Sequence, residues 1–240
     1  MFVPLDNVPR PAETRTVSDP AENLADTRRS IEGATDAAGR QPGSVRLVAA
    51  SKTFGRDAIS PLLAAGQRDF GENRVQEAMA KWPALREVNP DVRLHLVGPL
   101  QSNKAADAVA LFDSIHTIDR DKIAAAIGSE MVRQGRSLQL FVQVNTGGEA
   151  QKAGVPPADT LAFVDRCRDV HGLAISGLMT IPPVNESPGP HFALLAKLGR
   201  DSDVGRLSMG MTGDFETAIA FGATDVRIGR GLFGARPTVM

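Results

Sequence analysis

Residues 45–54 read VRLVAASKTF: an apolar run closes at Ser51 and hands over to Lys52. Lysine is rarely buried without a partner, so a strand that ends on one puts its amine either in water or in a site. Two glycine-rich stretches supply something for that amine to meet. SMGMTG, residues 208–213, leads into a helical pattern starting near residue 214. Backbone N–H groups at a helix start, with the hydroxyls of Ser208 and Thr212, suit an anion such as phosphate. RIGRG, residues 227–231, follows the last apolar run and again brings backbone within reach of a ligand. Read blandly, both are turns, with Thr212 an ordinary N-cap. Asp214 and Glu216, just inside the helix, count against an anion unless they turn outward. A lysine beside a phosphate has two chemical uses: a point charge, or an amine that condenses with an aldehyde on the same ligand. Arg227, inside the apolar stretch TDVRIG, would either bind phosphate or reach the far side of a flat ring.

The elements that must position these residues alternate. Eight apolar, β-branched runs read as strands: VRLVAAS from residue 45, RDFGE from 68, RLHLVG from 93, DSIHTI from 113, LQLFVQVN from 138, LAISGLM from 173, GRLSMG from 205 and TDVRIG from 224. Helix-period segments lie before and between them: AENLADTRRSIEGATDAAG after Pro20, then DAISPLLAAG, NRVQEAMAKW, KAADAVALF, DRDKIAAAIGSEMVRQG, PADTLAFVDRCRDV, HFALLAKLG and DFETAIAFG. Gly39, Gly66, Gly135, Gly199 and Gly222 are expected to stop helices. AAGQRDFGEN and AFGATDVRIGR echo each other as helix, Gly, two residues, Asp, strand, Gly.

Strands alternating with helices pair in parallel, as a closed barrel or as an open doubly wound sheet. About 250 residues is typical of a (β/α)8 TIM barrel. Lys52, GEN at 71–73, GPLQSNK at 98–104, NTGG at 145–148, MT at 179–180, SMGMTG and IGRG each follow the C-terminal end of a run. In a barrel those ends form one rim, where active sites sit, with phosphate bound after strands seven and eight. The expectation is therefore a single barrel over residues 20–240, preceded by an extended or disordered tail at 1–19. Closure would bring Lys52 beside the eighth strand.

Composition narrows the function. Lys and Arg number 27 against 28 Asp and Glu, a net charge of −1, which argues against a nucleic-acid or anionic-membrane partner. Cys167 is the single cysteine, so no disulfide framework or CxxC zinc site forms within one chain, and a reducing compartment fits. His95, His116, His171 and His191 lack metal-ligand spacing and are expected at the solvent or the core edge. No metal site is expected. No apolar stretch nears the roughly 20 residues of a membrane span, and the N-terminus lacks the pattern of a signal peptide. The expected location is the cytoplasm.

LVAASKTF, FGENRVQEA, HLVGPLQSNK, SIHTIDR, ISGLMTIPP, LSMGMTGDFETAI and TDVRIGRGLFGAR resemble, in order and over about residues 20–236, the motifs of the pyridoxal 5′-phosphate homeostasis protein family. That resemblance implies a barrel similar to the N-terminal domain of alanine racemase. It departs in the tail, in Thr212 where serine is usual, and in a short loop before His191; threonine keeps the hydroxyl. By the same resemblance Lys52 would hold pyridoxal phosphate as a Schiff base. Ser208, Thr212, Gly213 and Gly229 would cradle its phosphate, Arg227 would face the pyridine nitrogen, and Asn73 and Met211 would lie near the ring. Gln101, Asn103 and Lys104 belong to the motifs without an assigned role.

An arginine at the ring nitrogen opposes its protonation and makes the ring a poorer electron sink. Two-base racemisation needs a second acid/base on the face opposite the lysine, a tyrosine in alanine racemase, and this chain contains no tyrosine and ends soon after its eighth strand. The expectation is a non-catalytic monomer that stores, buffers or delivers the cofactor, with apo-forms of pyridoxal phosphate-dependent enzymes as recipients. An amino-acid racemase or aldolase using His95 or Lys104 as its base, and a phosphosugar-binding barrel, are the alternatives.

Overall fold

All eight apolar runs form strands. They are β1 (Arg46–Ala50), β2 (Asp69–Glu72), β3 (Arg93–Leu96), β4 (Ser114–Ile118), β5 (Gln139–Val144), β6 (Ile175–Thr180), β7 (Arg206–Ser208) and β8 (Asp225–Ile228). They pair in parallel in sequence order and close into a barrel, with Val48 of β1 opposite Arg227 of β8 and Ala49 opposite Ile228. The structure, a computed structural model, describes residues 19–234. The expected tail lies outside the described residues except for Asp19, whose carboxylate accepts from Ala21 N and caps the first helix.

The helices are α1 (Pro20–Ala37), α2 (Arg56–Ala64), α3 (Val75–Val88), α4 (Ala105–Leu111), α5 (Asp121–Gln134), α6 (Thr160–Asp169), α7 (Pro188–Asp201), α8 (Phe215–Ala220) and α9 (Arg230–Phe233). Their apolar faces pack on the outside of the barrel, where Phe70, Trp82, Phe112, Phe163 and Phe192 are fully buried. Gly39, Gly66, Gly135 and Gly222 take positive φ where helices end, as expected. Gly199 does not. Helix α7 runs through it to Asp201, and a Cβ at Gly199 would stand 2.9 Å from Leu207 Cδ2. Glycine is there for close packing, and the left-handed turn falls to Asp203, at φ 49.

The barrel interior is polar, and this corrects the expectation for two histidines. His95 and His116 are 1 % and 0 % exposed, inside the barrel rather than at its edge. They are tolerated because each ring nitrogen has a polar neighbour. His171, against Asp121, and His191, near Glu186 and Thr146, lie at the margins as expected.

Below the histidines, at the N-terminal ends of the strands, charges pair off. Arg206 makes a bidentate contact with Asp225, at 2.7 and 3.1 Å. Arg93 holds both oxygens of Asp69, at 2.9 and 2.6 Å. Arg46 of β1 lies between the two acids, 3.3 Å from Asp225 and 3.6 Å from Asp69. The sequence echo now has a physical meaning. Its two aspartates open β2 and β8, the strands on either side of β1, and share the β1 arginine.

Candidate functional site

At the opposite, C-terminal end, Lys52 sits in a turn built to hold it. The backbone leaves β1 at Ser51, whose N–H bonds Gly71 O, and passes through Thr53 at φ 68. A left-handed threonine costs about 1–2 kcal/mol, so neighbours must impose it. Helix α3 does so. Lys81 Nζ donates to the carbonyls of Ser51 and Phe54, both at 3.0 Å, one on each side of Lys52 and Thr53. Glu77 accepts from Thr53 N at 2.6 Å. Lys81 is itself anchored by Glu72 at 2.7 Å, and Glu72 Oε1 also accepts from Ser51 Oγ and Trp82 Nε1. Burial raises the Glu72 carboxyl above its ordinary range even against those favourable contacts. Phe54 stacks on Phe233 of α9, centroids 4.5 Å apart, so the first loop is fastened to the last.

Neither Lys81 nor Trp82 was singled out from sequence, and Glu72 only within GEN at 71–73, without a role. A signal was present: Lys81 falls on the buried stripe Val75, Ala78, Trp82, Leu85 of α3, where a lysine needs a partner.

Arg227 enters the barrel from β8 and is 5 % exposed. Its Nη1 donates to Ser208 Oγ at 2.7 Å and its Nη2 to Thr180 O at 2.9 Å. Both acceptors are neutral, and among the described residues no carboxylate pairs with it. Burial pushes its pKa down to about 10. Ser208, at the end of β7, is fully buried beneath the rim, against Arg227 and His116.

The two glycine-rich loops meet above. A Cβ at Gly231 would stand 3.3 Å from Thr212 Cγ2, and one at Gly229 would stand 3.4 Å from Ala50 O. The loops after β7, β8 and β1 therefore adjoin, with Thr212 and Gly213 exposed at the edge. Gly210 has φ 92, and a Cβ there would lie 2.6 Å from Ala218; only glycine turns the chain this tightly against α8. The N-cap of α8 is Asp214, not Thr212, and its carboxylate turns back to accept from Met211 N at 2.6 Å. One N–H of the expected anion cradle is thus occupied by an acid. Glu216 is exposed and faces α1.

Asn73 follows β2 on another part of the mouth. Its backbone lies so close to Gly98 that a Cβ there would be 2.3 Å from Asn73 O. Asn73, Gln101 and Lys104 line a rim cavity of about 580 Å³ with Arg74 and Arg120, while Asn103 is exposed. His95 lies inside the barrel, 3.0 Å from Asp69 and 3.1 Å from His116, away from the rim a second base would occupy. Among the described residues no group of three or more His, Cys, Asp or Glu could hold a metal ion, and no helix is long and apolar enough to cross a membrane.

Residues 24–237 match the family model of the alanine racemase N-terminal domain. The pyridoxal phosphate homeostasis protein of Pseudomonas aeruginosa is 42 % identical over 221 residues, covering 90 % of this chain and 95 % of that protein. The Escherichia coli K12 protein of the same name is 36 % identical over 229 residues, covering 92 % and 98 %. Among solved structures, PipY of Synechococcus elongatus with pyridoxal phosphate bound is 39 % identical, has a TM-score of 0.77, and is matched over 90 % of this chain and 100 % of its own. Alanine racemase of Clostridium difficile, 14 % identical with a TM-score of 0.65 over 90 % of this chain and 58 % of its own, shares the fold. The closed eight-stranded barrel and the order of its rim motifs thus agree with sequence kinship over nearly the whole chain, which belongs to the pyridoxal phosphate homeostasis protein family, within the alanine racemase N-terminal domain group.

Proposed function

We propose that this chain binds pyridoxal 5′-phosphate at the mouth of the barrel through Lys52 and serves as a cytoplasmic, monomeric carrier that stores, buffers or delivers the cofactor without turning over amino acids. The observation that carries this reading is the β1–β8 seam. There a lysine in a clamped turn and a buried arginine that donates to a hydroxyl and a carbonyl lie toward the same end of one barrel. The names of the relatives and the ligand of PipY support it.

The residues fit the group. When bound, the cofactor supplies an aldehyde that reacts with amines, a phosphate and a pyridine nitrogen. Lys52 continues the alternating face of Val48 and Ala50 toward the mouth, so its amine meets the aldehyde. Thr212, Gly213 and Gly229 lie together for the phosphate, and Met211 and Asn73 flank the ring. Among the described residues Arg227 makes two of its five possible N–H contacts. The rest remain for an acceptor such as a pyridine nitrogen, and its charge opposes protonation there.

The test has two arms. Cofactor-loaded protein mixed with an apo-enzyme that requires pyridoxal phosphate should restore that enzyme's activity. The same loaded protein should not exchange the α-deuterium of labelled D- or L-alanine. Exchange at a catalytic rate would overturn the carrier reading in favour of a racemase, and failure to take up the cofactor would favour a phosphosugar-binding barrel.

A further inference from the structure

Four residues beneath Arg227 form an unbroken chain along the barrel interior. Ser208 Oγ, which accepts from Arg227, lies 2.8 Å from His116 Nδ1. His116 Nε2 lies 3.1 Å from His95 Nδ1, and His95 Nε2 lies 3.0 Å from Asp69 Oδ1. The chain begins on β8 and ends on β2, crossing β7, β4 and β3. All five side chains are buried, and His116 is held in plane by stacking on Phe141, centroids 4.2 Å apart.

The two ends fix the direction. Arginine can only donate, and an ionised carboxylate can only accept. The hydrogen bonds from His95 and Arg93 outweigh burial and keep the Asp69 carboxyl below its ordinary range, so it is ionised at neutral pH. His95 therefore carries its hydrogen on Nε2, and a neutral His95 accepts at Nδ1. His116 must then carry hydrogen on Nε2 and accept at Nδ1 from the Ser208 hydroxyl. Each donor hydrogen in this arrangement has one acceptor. The competing arrangement makes His95 a cation that donates at both nitrogens and turns His116 round to donate to Ser208. It leaves the Ser208 hydroxyl hydrogen without an acceptor, and it adds a positive charge where Arg46, Arg93, Arg206 and Arg227 already surround the chain. Burial first, then the adjacent His95 and the guanidinium groups of Arg227, Arg46 and Arg206, hold His116 well below the ordinary histidine range, so it is neutral.

We propose that Ser208, His116, His95 and Asp69 form a hydrogen-bond relay of fixed direction that positions the Arg227 guanidinium at the mouth and commits the Ser208 hydroxyl to His116, taking it away from the phosphate. The relay rests on the cofactor reading for its purpose but not for its geometry. His116 and His95 are positioning residues: they act on the ligand only through Arg227. Phosphate binding then falls to Thr212, Gly213 and Gly229, without the Ser208 hydroxyl that family resemblance places there.

The relay is tested first on ligand-free protein, by nitrogen-15 NMR of the histidine rings at neutral pH. His95 and His116 should both be neutral with hydrogen on Nε2. Hydrogen on Nδ1 of either ring, or a cationic His95, overturns the proposal whatever the protein binds. The second arm follows the guanidinium N–H signals of Arg227. They should be resolved in the parent, averaged in His116→Phe and in Asp69→Leu, and resolved again in Asp69→Asn, which keeps an acceptor for His95. Signals that stay resolved in His116→Phe show that the relay does not position Arg227. The third arm uses inorganic phosphate as competitor for the cofactor. Ser208→Ala should weaken cofactor binding, because Arg227 is no longer held in position, while phosphate binding is unchanged; Thr212→Ala should weaken both. Reduced phosphate binding in Ser208→Ala alone would return that hydroxyl to the cradle. Should His116→Phe fail to fold, the ring measurement on the parent still decides.

Discussion

The two ends of the barrel treat buried charge in opposite ways. At the N-terminal floor, Arg46, Arg93 and Arg206 meet Asp69 and Asp225 in direct ion pairs. At the C-terminal mouth, Arg227 is at least as deeply buried, yet it donates to a hydroxyl and a carbonyl. A buried charge without a counterion is costly. Its fall to a pKa of about 10 by burial corresponds to roughly 3 kcal/mol favouring the unfolded state at neutral pH. The floor is closed by its own ion pairs; under the proposed function a ligand completes the mouth.

Breaking one arginine at each end should separate stability from binding. Arg206→Met leaves the fully buried Asp225 with Arg46 as its remaining ion-pair partner among the described residues, beside the Thr224 hydroxyl. Losing one partner of a buried pair typically costs 3–5 kcal/mol, read as a drop in denaturant midpoint. Cofactor affinity, measured where the variant is folded, should stay close to the parent's. Arg227→Met should do the reverse. It removes two hydrogen bonds but also an unneutralised charge, so stability should stay within about 2 kcal/mol of the parent. Cofactor retention should fall at least tenfold, the equivalent of one lost charged hydrogen bond. If Arg227→Met unfolds the protein and Arg206→Met does not, the contrast between floor and mouth is wrong.

Acid should attack the floor first. Asp69 has a depressed pKa in the folded state, so its contribution is present above the unfolded carboxyl value of about 3.9 and is lost as pH falls through the folded value. Equilibrium unfolding of the parent should therefore steepen below about pH 4. Asp69→Asn should be less stable at neutral pH and shallower in that window; an identical acid profile would remove Asp69 from the account. A smaller effect is expected at the mouth. Thr53→Gly relieves the left-handed strain at φ 68 but loosens the unfolded chain, for a net gain under about 1 kcal/mol. The same change should slow covalent capture at Lys52, because the turn is less rigid. Faster capture would mean that the clamp by Lys81 and Glu77 does not serve the lysine.

The eight strands and the rim were legible because periodicity and strand-end chemistry are local properties. Lys52 follows β1, Thr212 and Gly213 follow β7, Arg227 lies in β8 and Gly229 follows it, and β1 and β8 are neighbours only through closure. What pattern could not show was which polar residues face inward. His95 and His116 sit in apolar surroundings in RLHLVG and DSIHTI, and nothing local reveals that each meets the other across adjacent strands. The Asp214 carboxylate on Met211 N and the passage of α7 through Gly199 likewise depend on packing between elements distant in sequence or on turn geometry. The Glu72–Lys81 clamp was half visible, as an α3 lysine on a buried stripe.

Capture of pyridoxal phosphate by Lys52, as proposed, is open to direct test. Purified protein should be loaded with the cofactor, reduced with borohydride, and digested for mass spectrometry, with Lys52→Ala as the control. The account predicts one cofactor mass on the peptide bearing Lys52, and no adduct elsewhere at equimolar loading. In Lys52→Ala, which should remain folded, the adduct and the yellow colour should both disappear while weak reversible binding persists. An adduct on Lys81 or Lys104 instead, or an unchanged adduct in Lys52→Ala, would contradict the account.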